Sequence, residues 1–247
     1  MAAGARVCAL LLALRTCCAA PPPCSIPRVG ALSLAAFRAT FKGRSPVIFP
    51  SPDAAAAAAA LAAPALLRAH GHLPVLLATS NRNSYEKRAS TLARYFAEDL
   101  RPVTLDDRAA DRWYLFGDTL LSDSPEWAPL HATFALPLDA PRDDPVAAWG
   151  VGGLHSGVPF HRHGAVYAAT VVGAKRWWVA PPDAEPAFSG NETQLAYAAA
   201  HPADADGVLA CTVAAGETLY VPANWLHATL NLEAYNAFTT IFVRERA

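Results

Sequence analysis

The second half of this chain is written in short pieces. From about Arg112 onward, β-type runs recur between glycine and proline, at 113–116, 147–151, 165–172, 176–179, 208–213, 217–221, 225–230 and 237–243. Each is short and rich in Val, Leu, Thr or aromatic residues, the pattern of strands rather than helices. Several short strands at this spacing predict an all-β sandwich or barrel.

The first half reads differently. Leu34, Phe37 and Phe41 fall at helical spacing, and 46–49 reads as a strand. Ser51-Pro52-Asp53 offers an N-cap for a helix through the alanine run 54–60. Pro64 should interrupt that helix and Gly71 close it, because proline lacks the amide proton that a helix interior needs. A strand returns at 73–78, and 86–100 reads as one helix with Leu92, Tyr95, Phe96 and Leu100 on a single stripe. The predicted class is therefore mainly β (α+β). A helical and strand annex at 24–111 leads into a barrel core at 112–247, with no long flexible linker to divide them.

The N-terminus has the layout of a secretory signal peptide over residues 1–20. A short basic start ends at Arg6, an apolar stretch at 7–14 is too short to span a bilayer, and Ala19-Ala20 precede Pro21-Pro22-Pro23. Two alternatives stay open: a buried N-terminal helix, or an organelle transit peptide, since six Arg or Lys residues precede the first acidic one, Asp53. No other apolar run is long enough for a membrane helix, so no integral membrane segment is expected in the mature chain. Cleavage near Ala20 would leave Cys24 and Cys211 of the five cysteines. They form either one disulfide, stapling the N-terminal segment to a late strand in an oxidising compartment, or two unrelated buried thiols. A net charge of -1 with 17% charged residues gives no basic face, which disfavours nucleic acid as a partner.

Two stretches carry chemistry. In Val158-Pro159-Phe160-His161-Arg162-His163-Gly164, strand periodicity turns His161 and His163 to one side and Arg162 to the other. In Tyr220-Val221-Pro222-Ala223-Asn224-Trp225-Leu226-His227, the run that follows alternates. His227, Thr229 and Asn231 share one face, and Leu226, Ala228, Leu230 and Leu232 the other. Three neutral imidazoles can hold one divalent transition metal and leave positions open, but they suit iron, zinc, copper and nickel alike. His70, His72, His131 and His201 read as surface or loop residues, while His155, just before the first motif, competes for the site.

These stretches have a family resemblance. Residues 157–163, with Gly173-Ala174-Lys175-Arg176-Trp177-Trp178 and Ala180-Pro181-Pro182, resemble the first half of a JmjC (jumonji-C) barrel of the cupin superfamily. Residues 215–222 and 225–231 resemble the second half. Similarity to a lumenal member of that family extends over about 24–243, through Phe37, Pro46-Val47-Ile48, Phe116-Gly117-Asp118 and the sequon Asn191-Glu192-Thr193. Asn191 is thereby a candidate N-glycosylation site.

The resemblance implies a double-stranded β-helix, the jelly-roll barrel of that class. It also implies an iron(II) centre with 2-oxoglutarate as co-substrate, and residence in the endoplasmic reticulum lumen. It makes His161 the first metal ligand, His227 the distal one, and Lys175 the cation for the far carboxylate of 2-oxoglutarate. Tyr167, in phase with the histidines on an unbroken strand, either donates to the same carboxylate or belongs to the core. The departure is His163, which stands where the family's active members carry Asp or Glu. Removing that carboxylate raises the net charge of the site by one and weakens the hold on iron(II). Two readings follow: a catalytically degenerate JmjC scaffold for protein partners, or a weak iron(II)- and 2-oxoglutarate-dependent hydroxylase of a protein substrate. A cupin-type three-histidine dioxygenase or isomerase that uses no 2-oxoglutarate is the alternative, and Lys175 argues against it.

Overall fold

The computed structural model describes residues 24–52, 54–80, 86–107, 112–116, 125–140, 146–189, 192–201 and 207–243. The leader at 1–20, the proposed cap residue Asp53 and the sequon residue Asn191 lie outside them. The elements run α1 (Leu34–Thr40), β1 (Val47–Pro50), α2 (Ala54–Leu61), α3 (Ala63–His70), β2 (Pro74–Thr79), β3 (Lys87–Thr91), α4 (Leu92–Arg94, continuing as a wider π turn to Asp99), β4 (Trp113–Tyr114) and α5 (Ala128–His131). They continue with β5 (Val146–Gly152), β6 (Gly157–His161), β7 (Val166–Val172), β8 (Ala174–Ala180), α6 (Gln194–Ala200), β9 (Leu209–Ala214), β10 (Glu217–Val221), β11 (Leu226–Asn231) and β12 (Asn236–Phe242).

The late strands build two antiparallel sheets, ordered β1-β10-β7-β12-β5 and β6-β11-β8-β9. A third sheet, β3-β2-β4, belongs to the annex. Strand alternation decides the layers. Val166 and Ala168 of β7 meet Trp177 and Val179 of β8 in the space between the two large sheets. The odd residues of β7 face outward, where Tyr167 packs with Phe37 of α1, and Val171 joins the annex cluster of Leu61, Leu66, Leu77 and Trp149. Burying side chains of this size contributes roughly 1.5–3 kcal/mol each. Outside the four-stranded sheet, Trp178, Ala228 and Leu230 pack under Tyr197 of α6. That helix starts at Thr193, whose hydroxyl caps the Ala196 amide.

Gly173 alone separates β7 from β8 and carries the chain from one sheet to the other at φ +82°, a left-handed conformation that favours glycine. The architecture is therefore a two-sheet jelly roll, and the expected barrel is not closed by a continuous ladder. At the open seam between β9 and β1 lies the segment from Cys24 to Val29. Ser25 pairs with Ala210 of β9, Arg28 bridges Ile48 of β1 in parallel, and Ile26 enters the core between the sheets. Cys24 is joined to Cys211 of β9 by a disulfide. Arg28 adds an ion pair to Glu217 at 2.8 Å and a hydrogen bond to the Thr212 carbonyl at 2.7 Å.

The single helix expected at 86–100 is a correction. Lys87–Thr91 pairs with β2 along its whole length, and helical structure begins only at Leu92, where the Thr91 hydroxyl caps the Arg94 amide. The apolar stripe was sound for Leu92 and Tyr95, which are buried. The preceding residues are polar and carry no helical face, so pairing with an open strand edge decided them.

Candidate metal centre

Antiparallel pairing of β6 with β11 sets His161 directly opposite His227. β6 ends at His161, and His163 lies two residues beyond it, held by the Asn224 amide, which donates to the His163 carbonyl at 2.9 Å. Asn224 sits at φ +65° in the turn before β11, so this turn supports both sides of the centre. One ring nitrogen from each of His161, His163 and His227 lies within 4.8 Å of the other two, and Arg162 between the first two faces solvent.

Each imidazole is fixed through its Nδ1. His161 donates to the Pro159 carbonyl at 2.9 Å, His163 to the Gly164 carbonyl at 2.7 Å, and His227 to the Trp225 carbonyl at 3.0 Å. A carbonyl oxygen only accepts, so each Nδ1 carries the proton and each Nε2 presents a lone pair. His163 Nε2 and His227 Nε2 are 3.2 Å apart. Two lone pairs at that distance repel unless a cation or proton lies between them. Fixing the tautomer through Nδ1 so that Nε2 can ligate is the outer-shell arrangement of protein metal sites. Burial also holds the rings neutral: the His161 pKa is pushed down to about 4, and those of His163 and His227 fall as well. A neutral three-nitrogen set of this geometry fits a divalent transition metal.

The cavity over the histidines lies between the two large sheets and is walled by Phe116, Val158, Val166, Trp177, Phe238 and Phe242. Thr229 and Thr240 also line it. Lys175 lines the same cavity, in register with Asn231 on the inward face of β8. It is not the surface lysine of a hairpin, for it is 4% exposed. Its Nζ donates to the Tyr114 hydroxyl at 3.2 Å and lies 3.4 Å from the centre of the Phe238 ring. Burial lowers its pKa to about 7.

Of the residues singled out in the sequence, His161, His163, His227 and Lys175 come together on this one cavity. Tyr167 does not. The strand that carries His161 ends there, and a new one begins at Val166 in the other sheet, so the phase is broken. Its ring stands on the outer face, 5.1 Å from Tyr220 and 6.0 Å from Phe37. His155 turns away at φ +62° to the Val103 carbonyl. His131 is buried beside Phe134, and the His70 ring lies 5.1 Å from Trp127 in a tilted contact, both away from the cavity. Tyr114 and Phe238 were missed: nothing in the two-residue strand of Tyr114 distinguished it from packing.

The comparisons agree with this geometry. JmjC domain-containing protein 8 of Rattus norvegicus is 37% identical over 182 residues, covering 72% of this chain and 65% of that protein. The Homo sapiens protein of the same name is 37% identical over 184 residues, covering 72% and 66%. The match thus spans just under two thirds of these relatives' length. A lysine-specific demethylase of Arabidopsis thaliana, JMJ21, is 30% identical over 167 residues, 56% of this chain and 17% of that protein. No protein-family model matches the chain. Paired histidine motifs on facing strands of a jelly roll, together with these relatives, place the chain in the JmjC domain family of cupin-fold proteins.

Proposed function

We propose that this chain is a metal-binding JmjC protein of the endoplasmic reticulum lumen. Its three-histidine centre holds iron(II), its Lys175 receives the far carboxylate of 2-oxoglutarate, and its oxygenase turnover is weak or lost. The observation that carries the metal assignment is the set of three Nδ1–H···O=C bonds, which leave three Nε2 lone pairs free on imidazoles whose ligand atoms lie within 4.8 Å of one another.

Bound iron(II) would supply the oxygen-activating chemistry of the family. The chain's own residues do the rest. His161 and His227 stand opposite each other on paired strands, so their spacing is set by the ladder. Trp177, Phe238 and Phe242 give the cavity an aromatic wall. Lys175, a point charge on a flexible stem, meets a carboxylate in the narrow space beside Tyr114. His163 supports the scaffold reading: an imidazole in place of a carboxylate leaves the metal without an anionic protein ligand and lowers affinity for a hard divalent ion. On that reading the outer surface of the jelly roll serves a protein partner.

Anaerobic titration of iron(II) with and without 2-oxoglutarate, following the visible metal-to-ligand charge-transfer band, tests this. The band should appear, and should vanish in His227→Ala and Lys175→Ala. A folded protein that gives no band would leave only the scaffold.

A further inference from the structure

We propose that the centre takes its metal together with an anion, so that each strongly raises the affinity of the other. The inference rests on the metal-site reading above and adds how that site is regulated: metal occupancy follows the supply of a carboxylate ligand.

The argument is one of charge. Three neutral imidazoles leave a divalent ion with its full double charge. No described residue lining the cavity carries a carboxylate. The other ionisable groups there are Lys175, which can only add positive charge, and Tyr114, whose hydroxyl burial keeps protonated. The remaining walls are aromatic, aliphatic or threonine. An uncompensated double charge in such surroundings is costly, because little water or dipole replaces its hydration. An anion seated between metal and Lys175 removes that cost for both cations at once. An anion entering without metal finds Lys175 as the one cation lining the cavity among the described residues, set on the Phe238 ring and bonded to Tyr114. A centre with aspartate at position 163 would carry its own counter-charge and would need the partner far less. Coupling of this kind is reciprocal: the factor by which the anion strengthens metal binding equals the factor by which metal strengthens anion binding.

The test uses the metal-free protein and cobalt(II), read by its visible d–d absorption, in a weakly coordinating buffer. Cobalt is titrated alone, with saturating 2-oxoglutarate, and with acetate. The cobalt dissociation constant should fall about tenfold to a hundredfold with 2-oxoglutarate. Titrating 2-oxoglutarate with and without cobalt should return the same factor. His163→Asp should bind cobalt tightly without added anion and lose most of the coupling. Lys175→Met should weaken 2-oxoglutarate binding both with and without cobalt, while keeping the coupling to acetate, which needs only the metal. Equal cobalt affinity in all conditions overturns the proposal and leaves the metal centre standing. No cobalt binding under any condition overturns both.

Discussion

At the residue scale, the triad was legible because chemistry and spacing agree. Two imidazoles two positions apart at a strand end, and a third heading an alternating strand, leave few other arrangements. Of the two readings of Tyr167, the core is the one the structure shows, because parity holds only within one strand and the chain changes sheets between His161 and Val166. Lys175 was legible as a residue of this cavity but not as a buried amine, for its enclosure depends on Phe238 from a distant strand. That enclosure has a measurable sign. Its pKa is about 7 folded against 10.5 unfolded, so between these values the unfolded chain binds more protons and stability rises with pH. The unfavourable contribution is full below pH 7 and gone above 10.5. Lys175→Met should therefore be more stable than the parent at pH 7, by up to ~4 kcal/mol, with the difference closing toward pH 10. Chemical denaturation of both proteins across that range measures it. The histidines carry the same sign lower down. The His161 pKa falls from 6.5 to about 4, so the metal-free protein should lose stability as pH drops through that interval. His161→Phe should flatten that part of the profile.

Elements were more legible than their pairing. Glycine and proline punctuation located most of the late strands, although β5 and β6 keep Gly150, Gly157 and Pro159 within their ladders. The helix at 86–100 failed because a polar segment joins whichever edge is open, and the β2 edge lies beyond the reach of a local pattern. One position inside an element is decided by closeness alone. A Cβ on Gly157 would come within 1.9 Å of the Thr229 carbonyl oxygen, so only glycine lets β6 approach β11 here. Gly157→Ala must separate the two strands and move His161 away from His227. It should cost about 1–3 kcal/mol and weaken cobalt binding. Alanine at Gly30, which has open space around it, should do neither. Denaturation midpoints and the cobalt titration report the two effects separately.

For the whole molecule, the two-sheet class followed from strand count and spacing, but the open seam did not. The cysteine pair Cys24 and Cys211 offered a staple from the N-terminal segment to a late strand, and the disulfide is there, but nothing in the sequence showed that this segment also crosses to β1. The strap and its disulfide should matter to the entire fold, since they hold two sheet edges together. Cys24→Ser with Cys211→Ser should lower stability by about 2–5 kcal/mol, seen as a lower thermal midpoint that reductant no longer shifts.

The same bond also sets an order of events during synthesis. Cys24 and Cys211 are 187 residues apart, and chains grow at about 5–20 residues per second, so Cys24 waits roughly 10–40 s for its partner to be made. Through that interval its thiol is open to any oxidant or stray cysteine. The last-made strands, not the first, decide when the N-terminus is sealed.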